Sequence, residues 1–449
     1  MKQKKYEMDM CSGPLLKKIL IFTIPVMASG ILQLLFNATD IIVVGRYAGK
    51  ESLAAVGSTT ALINLIINLF VGLSVGANVI TAKYYGAGKE KDVSETVHTA
   101  ILTAVISGII LVIIGIILAT PLLRLMDSPE DVLGKSALYL KIYFLGMPAM
   151  MLYNFGSAVL RAVGDTKRPL YYLILSGSVN VCLNLISVIC FGMGVAGVGI
   201  ATVVAQYISA AMVVRCLIKE DGSYGINLSE LRLTGSKLKE IMFVGIPAGM
   251  QGVVFALSNV LIQSSINSFG SIAMAGNTAA SNIEGFIYIS MNSYNQTAIS
   301  FTSQNIGGKK IERVGKILLI CIGLVSMFGI ILGFGAYFAG NTLLHIYSSD
   351  MEVIHYGLMR MRVICLTYFT CGIMDVFAGS VRGMGYSVMP MIISLIGACG
   401  LRIVWIYTIF KAHHTLTTLY ISYPVTWVIT ICAYIVCYTI CIKKVKSKL

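Results

Sequence analysis

Three carboxylates of this 449-residue chain fall where water is scarce. Asp40, Glu284 and Asp375 each interrupt a long apolar stretch, and an ionisable side chain at bilayer depth costs about 2.5–3.5 kcal/mol on insertion scales. A carboxylate held in a low-dielectric site has to be neutralised by a proton, a metal ion or a cationic partner. Gln33, Asn37 and Asp40 stand at i, i+4 and i+7 and share one helical face; the competing account of Asp40 is a hydrated end of its span. Glu284 belongs to a stripe of Asn277, Ser281, Tyr288, Asn292 and Asn295 at helical spacing. Such a stripe must face protein or water rather than lipid. Helix-to-helix hydrogen bonding would explain the asparagines well and the carboxylate poorly. Asp375 shares a face with Tyr368, Cys371, Gly379 and Arg382, and its neutraliser is either a mobile cation or Arg402 in a permanent salt bridge.

Weaker constellations accompany these acids. Asn180 and Asn184 are four residues apart, as are Thr202 and Gln206, so each pair points one way. Neutral oxygens beside one carboxylate suit a small monovalent cation, although such pairs also serve as packing contacts. Gly72-x-x-x-Gly76 and Gly329-x-x-x-Gly333 are packing motifs, and Met147, Met150 and Met151 fit an adaptable apolar lining or ordinary core. Eleven cysteines lie mostly in apolar segments with no Cys-x-x-Cys, and read as inert buried thiols. The chain has no phosphate-binding Gly-x4-Gly-Lys-Ser/Thr, no His-Glu-x-x-His and no Gly-x-Ser-x-Gly. His98, His345, His355, His413 and His414 fall near span ends. No enzyme and no cofactor is expected, and no metal beyond a small monovalent cation at Asp40 or at Glu284 and Asp375.

The elements that must hold these residues are membrane helices. Hydrophobic residues make up 57% of the chain and charged ones 12%, with a mean hydropathy of +0.82, far from the average soluble domain. Apolar windows predict helices near 15–44, 53–82, 97–119, 136–160, 168–191, 196–217, 239–266, 273–302, 313–338, 356–381, 388–410 and 418–442. The net charge of +14 is not gathered into a basic domain, which argues against nucleic acid. Basic residues concentrate instead at alternate span ends, including Lys2, Lys4, Lys5, Lys17 and Lys18 before the first span and Lys443, Lys444, Lys446 and Lys448 after the last. Both termini are therefore expected on the cytoplasmic side of the cell membrane. The basic start and the apolar run after it resemble a signal peptide, but that run recurs at the start of the second half and is expected to belong to the fold.

That recurrence runs through the chain at a shift of about 220 residues. Ile24 and Pro25 match Ile246 and Pro247, Asn37 matches Asn259, and Leu122 and Leu123 match Leu343 and Leu344. Arg161, Gly164 and Pro169 match Arg382, Gly385 and Pro390. The expected fold is an all-α membrane protein of twelve transmembrane helices in two six-helix lobes, 1–218 and 239–449. A polar linker, 219–238, joins them. An even number of spans per half makes the repeat parallel, with its pseudo-two-fold along the membrane normal.

At these residues the chain resembles the bacterial multidrug and toxic compound extrusion (MATE) transporters, of a Gram-positive type. The resemblance rests on Ile24-Pro25, on Asp40 before Val44-Gly45-Arg46, on Leu53 to Gly57, on Asn180-x3-Asn184 and on Gly194 to Thr202. In the second half it rests on Asn282-Ile-Glu284, on Gln304-Asn305-Ile-Gly307 and on Met374-Asp375 leading to Arg382. It implies export of amphipathic, often cationic compounds in exchange for inward Na+ or H+, by a rocker-switch between lobes, with a monomer in the bilayer. By the same resemblance Asp40, Asn180, Asn184, Thr202, Glu284 and Asp375 are cation-binding. Gln33, Asn37, Asn282, Tyr288, Asn292 and Arg402 are expected at the substrate. Position 184 is an acid in some relatives and Asn here, which removes one charge from that site. The alternative is a flippase for a lipid-linked oligosaccharide, which would call for a cationic cavity and extra helices.

Overall fold

Backbone amides have no water to bond within a lipid core, so a chain this apolar closes its hydrogen bonds inside helices. The computed structural model describes residues 6–125 and 130–448; Lys2, Lys4 and Lys5 lie outside them. In the first half α1 (Leu15–Tyr47), α2 (Lys50–Gly86) and α3 (Glu90–Leu125) are followed by α4 (Glu130–Leu145) and α5 (Met147–Ala162). Then come α6 (Lys167–Leu185), continued by a π-helical turn at Ile186–Cys190, and α7 (Gly194–Ile218). The second half has α8 (Gly235–Asn267), α9 (Ser271–Gly307), α10 (Ile311–Phe338), the short α11 (Gly340–His345) and α12 (Met351–Gly383). It ends with α13 (Val388–Ser394), α14 (Leu401–Trp405) and α15 (Leu416–Lys448), with π-helical turns at Leu395–Gly400 and Ile406–Phe410.

The twelve expected spans are present, three of them irregular: the fifth runs from α6 into the π-helical turn at Ile186–Cys190. The fourth is the pair α4 and α5, which bend by 46° where Gly146 meets Pro148, because proline opens a helix readily but cannot continue one. The eleventh is α13 and α14 with their wide turns. Ten helices among the described residues are long and apolar enough to cross a membrane, eleven with the bent pair. The helix that does not qualify on apolarity is α9, which carries the polar stripe around Glu284.

The duplication is written into the backbone. Gly49 and Gly270 hold φ of 86° and 91°, and Gly164 and Gly385 hold 92° and 90°. Gly88, at 68°, is matched by Lys309 at 57°, the one non-glycine in this conformation among the described residues and one that pays for its Cβ. The π-helical turns at Ile186–Cys190 and Ile406–Phe410 also correspond at a shift of 220.

Contacts divide the chain into two compact units, and the division falls inside helices rather than in the linker. The first unit is Met1–Asp9 with Ala28–Gly249, and the second is Met10–Met27 with Met250–Leu449. Each break comes two residues after one of the repeated prolines, Pro25 in α1 and Pro247 in α8.

Small residues and hydrogen bonds explain this membership. In the first unit the start of α8 lies so close to α2 that a Cβ on Gly72 would come within 2.2 Å of Gly249 backbone. Tyr84 donates to Glu240 at 2.8 Å and Lys237 pairs with Asp92. The linker folds onto the same unit, where Asn227 N–H donates to His98 Nε2 at 3.1 Å and Thr234 N–H to Thr99 at 3.1 Å. In the second unit the start of α1 lies against α9, with Phe22 edge-on to Phe301 at 5.5 Å and the hydroxyls of Thr23 and Thr297 2.8 Å apart.

Candidate functional site

In the first unit, α1 is drawn onto α6 by the absence of a side chain at Gly177. A Cβ there would sit 1.8 Å from the ring of Phe36. One turn beyond Phe36 comes Asp40; one and two turns beyond Gly177 come Asn180 and Asn184. The close approach brings these side chains together. Asn184 Nδ2 donates to Asp40 Oδ1 and, at 3.2 Å, to Asn180 Oδ1. From α7, Thr202 lies 3.4 Å from Asp40 Oδ2 and accepts from Asn180 Nδ2 at 3.4 Å. Asp40, Asn180 and Asn184 are buried, and Tyr139 and Tyr143 stand in electrostatic range of the carboxylate. The π-helical turn begins two residues after Asn184, a backbone irregularity common beside functional side chains.

Every partner of Asp40 in that cluster is neutral, and among the described residues no lysine, arginine or histidine pairs with it. The site offers amide and hydroxyl oxygens around one carboxylate, with Asn184 Oδ1 and, nearby on α7, Gln206 Oε1 lacking any hydrogen-bond partner. Hard monovalent ions favour such donors. Gln33 and Asn37, on the same helix as Asp40, are exposed and outside the cluster.

In the second unit the acids fare differently. A Cβ on Gly276 would meet Val353 O at 2.5 Å, so α9 and α12 touch along their backbones and Glu284 faces Arg360. The guanidinium grips the carboxylate through Nε, at 3.0 and 3.2 Å to its two oxygens, and through NH2 at 2.7 Å. NH1 donates to Asn277 Oδ1 at 2.7 Å. Asn277 in turn donates to Gln263 at 3.2 Å. Arg360 is only 7% exposed. Its position in the sequence, near one end of a span, gave no warning of this pairing; the signal available was a basic residue and an acid in two membrane helices, which rarely remain apart at bilayer depth.

Asp375 and Arg402 are buried in the same unit, and among the described residues no ion pair joins them. Asp375 Oδ2 has no hydrogen-bond partner, and Arg382 is the cation in electrostatic range. Arg382 is itself held by Gln251 at 2.6 Å. Arg402 lies 4.1 Å over the ring of Tyr423, donates to Thr426 at 3.4 Å, and leaves Nε unpartnered. Between these charges runs a series of rings: Tyr288 stacks on Tyr368 at 6.4 Å, Tyr368 on Trp427 at 5.5 Å, and Tyr423 meets Trp427 edge-on at 5.7 Å. Tyr288 is exposed, Asn292 half-buried beside it and Asn282 exposed on the same helix. Among the described residues no cluster of three His, Cys, Asp or Glu side chains could hold a metal ion.

Curated relatives of this chain carry the names of multidrug resistance proteins and transporters. The probable multidrug resistance protein YoeA of Bacillus subtilis is 25% identical over 421 residues, 92% of this chain and 90% of its own. The FAD transporter of Shewanella oneidensis is 23% identical over 396 residues, 86% of each chain. An outward-facing multidrug resistance MATE family transporter superposes with a TM-score of 0.92 at 20% identity, covering 100% of both chains. The MatE family profile matches residues 25–186 and again 247–408, so the two halves meet it separately at a shift of 222. With both halves matched and the duplicated helical frame in place, this multi-pass membrane protein belongs to the MatE family.

Proposed function

We propose that the protein exports amphipathic organic compounds, many of them cationic, in exchange for Na+ or H+ entering the cell, with alternating access between its two faces. The observation that carries this reading is the company kept by Asp40. A buried carboxylate with neutral donors alone has a place for a mobile cation, since leaving it bare is expensive. Glu284 already has a resident guanidinium, so in the second unit the unpaired acid is Asp375. Asn180, Asn184 and Thr202 supply oxygens for the ion at Asp40. When a cationic substrate and the coupling ion compete for one negative charge, occupancy by one expels the other, which is the condition for exchange. Both termini face the cytoplasm and the working unit is the monomer.

The test is dye efflux from proteoliposomes under imposed Na+ or H+ gradients. Asp40→Asn should abolish gradient-driven efflux while the protein remains monodisperse. Undiminished efflux by that variant, or efflux indifferent to both gradients, overturns the proposal.

One observation favours a second reading of the substrate. Among the described residues no carboxylate pairs with Arg402, a buried cation next to a run of aromatic rings, which suits an aromatic compound carrying an anionic group. The relative named as an FAD transporter handles such a molecule by its name. Flavin efflux that is lost in Arg402→Gln while cationic dye efflux persists would support this reading, and equal loss of both would defeat it.

A further inference from the structure

The last helix carries a sulfur cluster that the proposed exchange does not call on. Cys437 and Cys441 are one turn apart on α15 and share a face, and α13 lays Met389 against it. Among the described residues no disulfide engages any of the eleven cysteines. The two thiol sulfurs are 4.0 Å apart, and the Met389 thioether is 4.0 Å from Cys437 and 3.8 Å from Cys441. Pairwise, these are packing distances. Together they close a nearly equilateral triangle, whose in-plane centre lies about 2.3 Å from each sulfur, a metal–thiolate bond length.

The surroundings select the ion. Cys437 is 4% exposed and Cys441 0%, and Val381, Met384 and Val445 pack around them. Met389 is half-buried and gives the cluster an edge toward the surface. Zinc asks for four donors in a tetrahedron, whereas thiolate and thioether sulfurs select Cu(I). We propose that Met389, Cys437 and Cys441 form a site for one soft monovalent metal ion, Cu(I) or its mimic Ag(I), which ties α13 to α15. On binding, each thiol gives its proton to solvent and each sulfur forms one bond to the metal, so Cu+ and two thiols yield a complex of charge −1 and two protons. No electron is transferred. Lys444, one turn beyond Cys441 and in electrostatic range of it, offsets the remaining charge.

The experiment uses the full-length protein in detergent, reduced and free of oxygen, titrated with Cu(I) buffered by bicinchoninate. Wild type should retain one more Cu(I) equivalent against the chelator than Cys441→Ala. X-ray absorption of the wild-type complex should show three sulfur neighbours at about 2.3 Å. Met389→Leu, a near-isosteric change that leaves the packing in place, should elute as wild type does and hold that equivalent at least tenfold more weakly. Equal retention by wild type and a monodisperse Cys441→Ala, retention by Met389→Leu as tight as wild type, or nitrogen and oxygen neighbours at the metal would each overturn the proposal. If Cys441→Ala does not fold, the comparison of Met389→Leu with wild type decides alone.

Discussion

Glu284 reaches its guanidinium from a neighbouring helix, whereas among the described residues Asp40 is met by amide and hydroxyl groups. The two acids should therefore respond oppositely to substitution. Removing Arg360 strands a buried carboxylate, which costs about 3–5 kcal/mol, so Arg360→Met should lower the thermal midpoint sharply in detergent. Pairing it with Glu284→Gln should recover most of that loss, since a buried pair contributes little net stability over a neutral replacement; a double variant no more stable than Arg360→Met would contradict this. Asp40→Asn exchanges a charge for a neutral group among neutral partners and should leave the midpoint unchanged or raised while efflux is lost, as scanning fluorimetry beside a transport assay would show. Helical spacing put Asn180 on one face with Asn184, and Thr202 with Gln206; that Asp40 joins Asn180, Asn184 and Thr202 across three helices was implied by the resemblance to the MATE transporters. The partner of Glu284 could not be placed from the sequence, because 76 residues separate it from Arg360 and only tertiary packing decides which helices touch.

Glycine governs how closely the helices approach. Gly177→Val would force the Phe36 ring away from α6 and move Asp40 off Asn184, at a cost of about 1–3 kcal/mol for overpacking. Efflux should fall further than stability does, measured by gradient-driven dye release against the thermal midpoint. Lys309 adopts the left-handed conformation that Gly88 adopts in the first half. Lys309→Gly should therefore stabilise the turn between α9 and α10, by about 1 kcal/mol, and raise the midpoint by a few degrees; an unchanged or lowered midpoint would argue that the Lys309 side chain has a role of its own. Apolar windows located the twelve spans, because apolar length is a property of sequence alone. The bend between α4 and α5 and the π-helical turns were not legible, since a wide turn depends on which neighbours accept its freed carbonyls.

The two compact units do not coincide with the two halves of the sequence. A cut in the linker near residue 222 would leave each half without a segment that packs in its own unit: the second without Met10–Met27, the first without the start of α8. Residues 1–221 or 222–449 expressed alone should therefore be degraded or aggregate, and the two co-expressed should give a monodisperse complex on size-exclusion chromatography. Either half folding by itself to a stable monomer would count against this. Duplication was visible in matched residues such as Pro25 and Pro247. Their bearing on the unit boundary was not, because a proline marks where a helix can bend and not which neighbour each part packs against.

The polarity of α9 has a consequence for how the chain is made. Ser271–Gly307 does not reach the apolarity that the other long helices have, and the carboxylate near its middle opposes partitioning out of the insertion machinery as a lone segment. The guanidinium that offsets it emerges from the ribosome 76 residues later, within α12. Biosynthesis therefore has to hold α9 in a protected place until its downstream neighbours arrive, and a nascent chain stalled before Arg360 would leave that helix uncommitted to the bilayer.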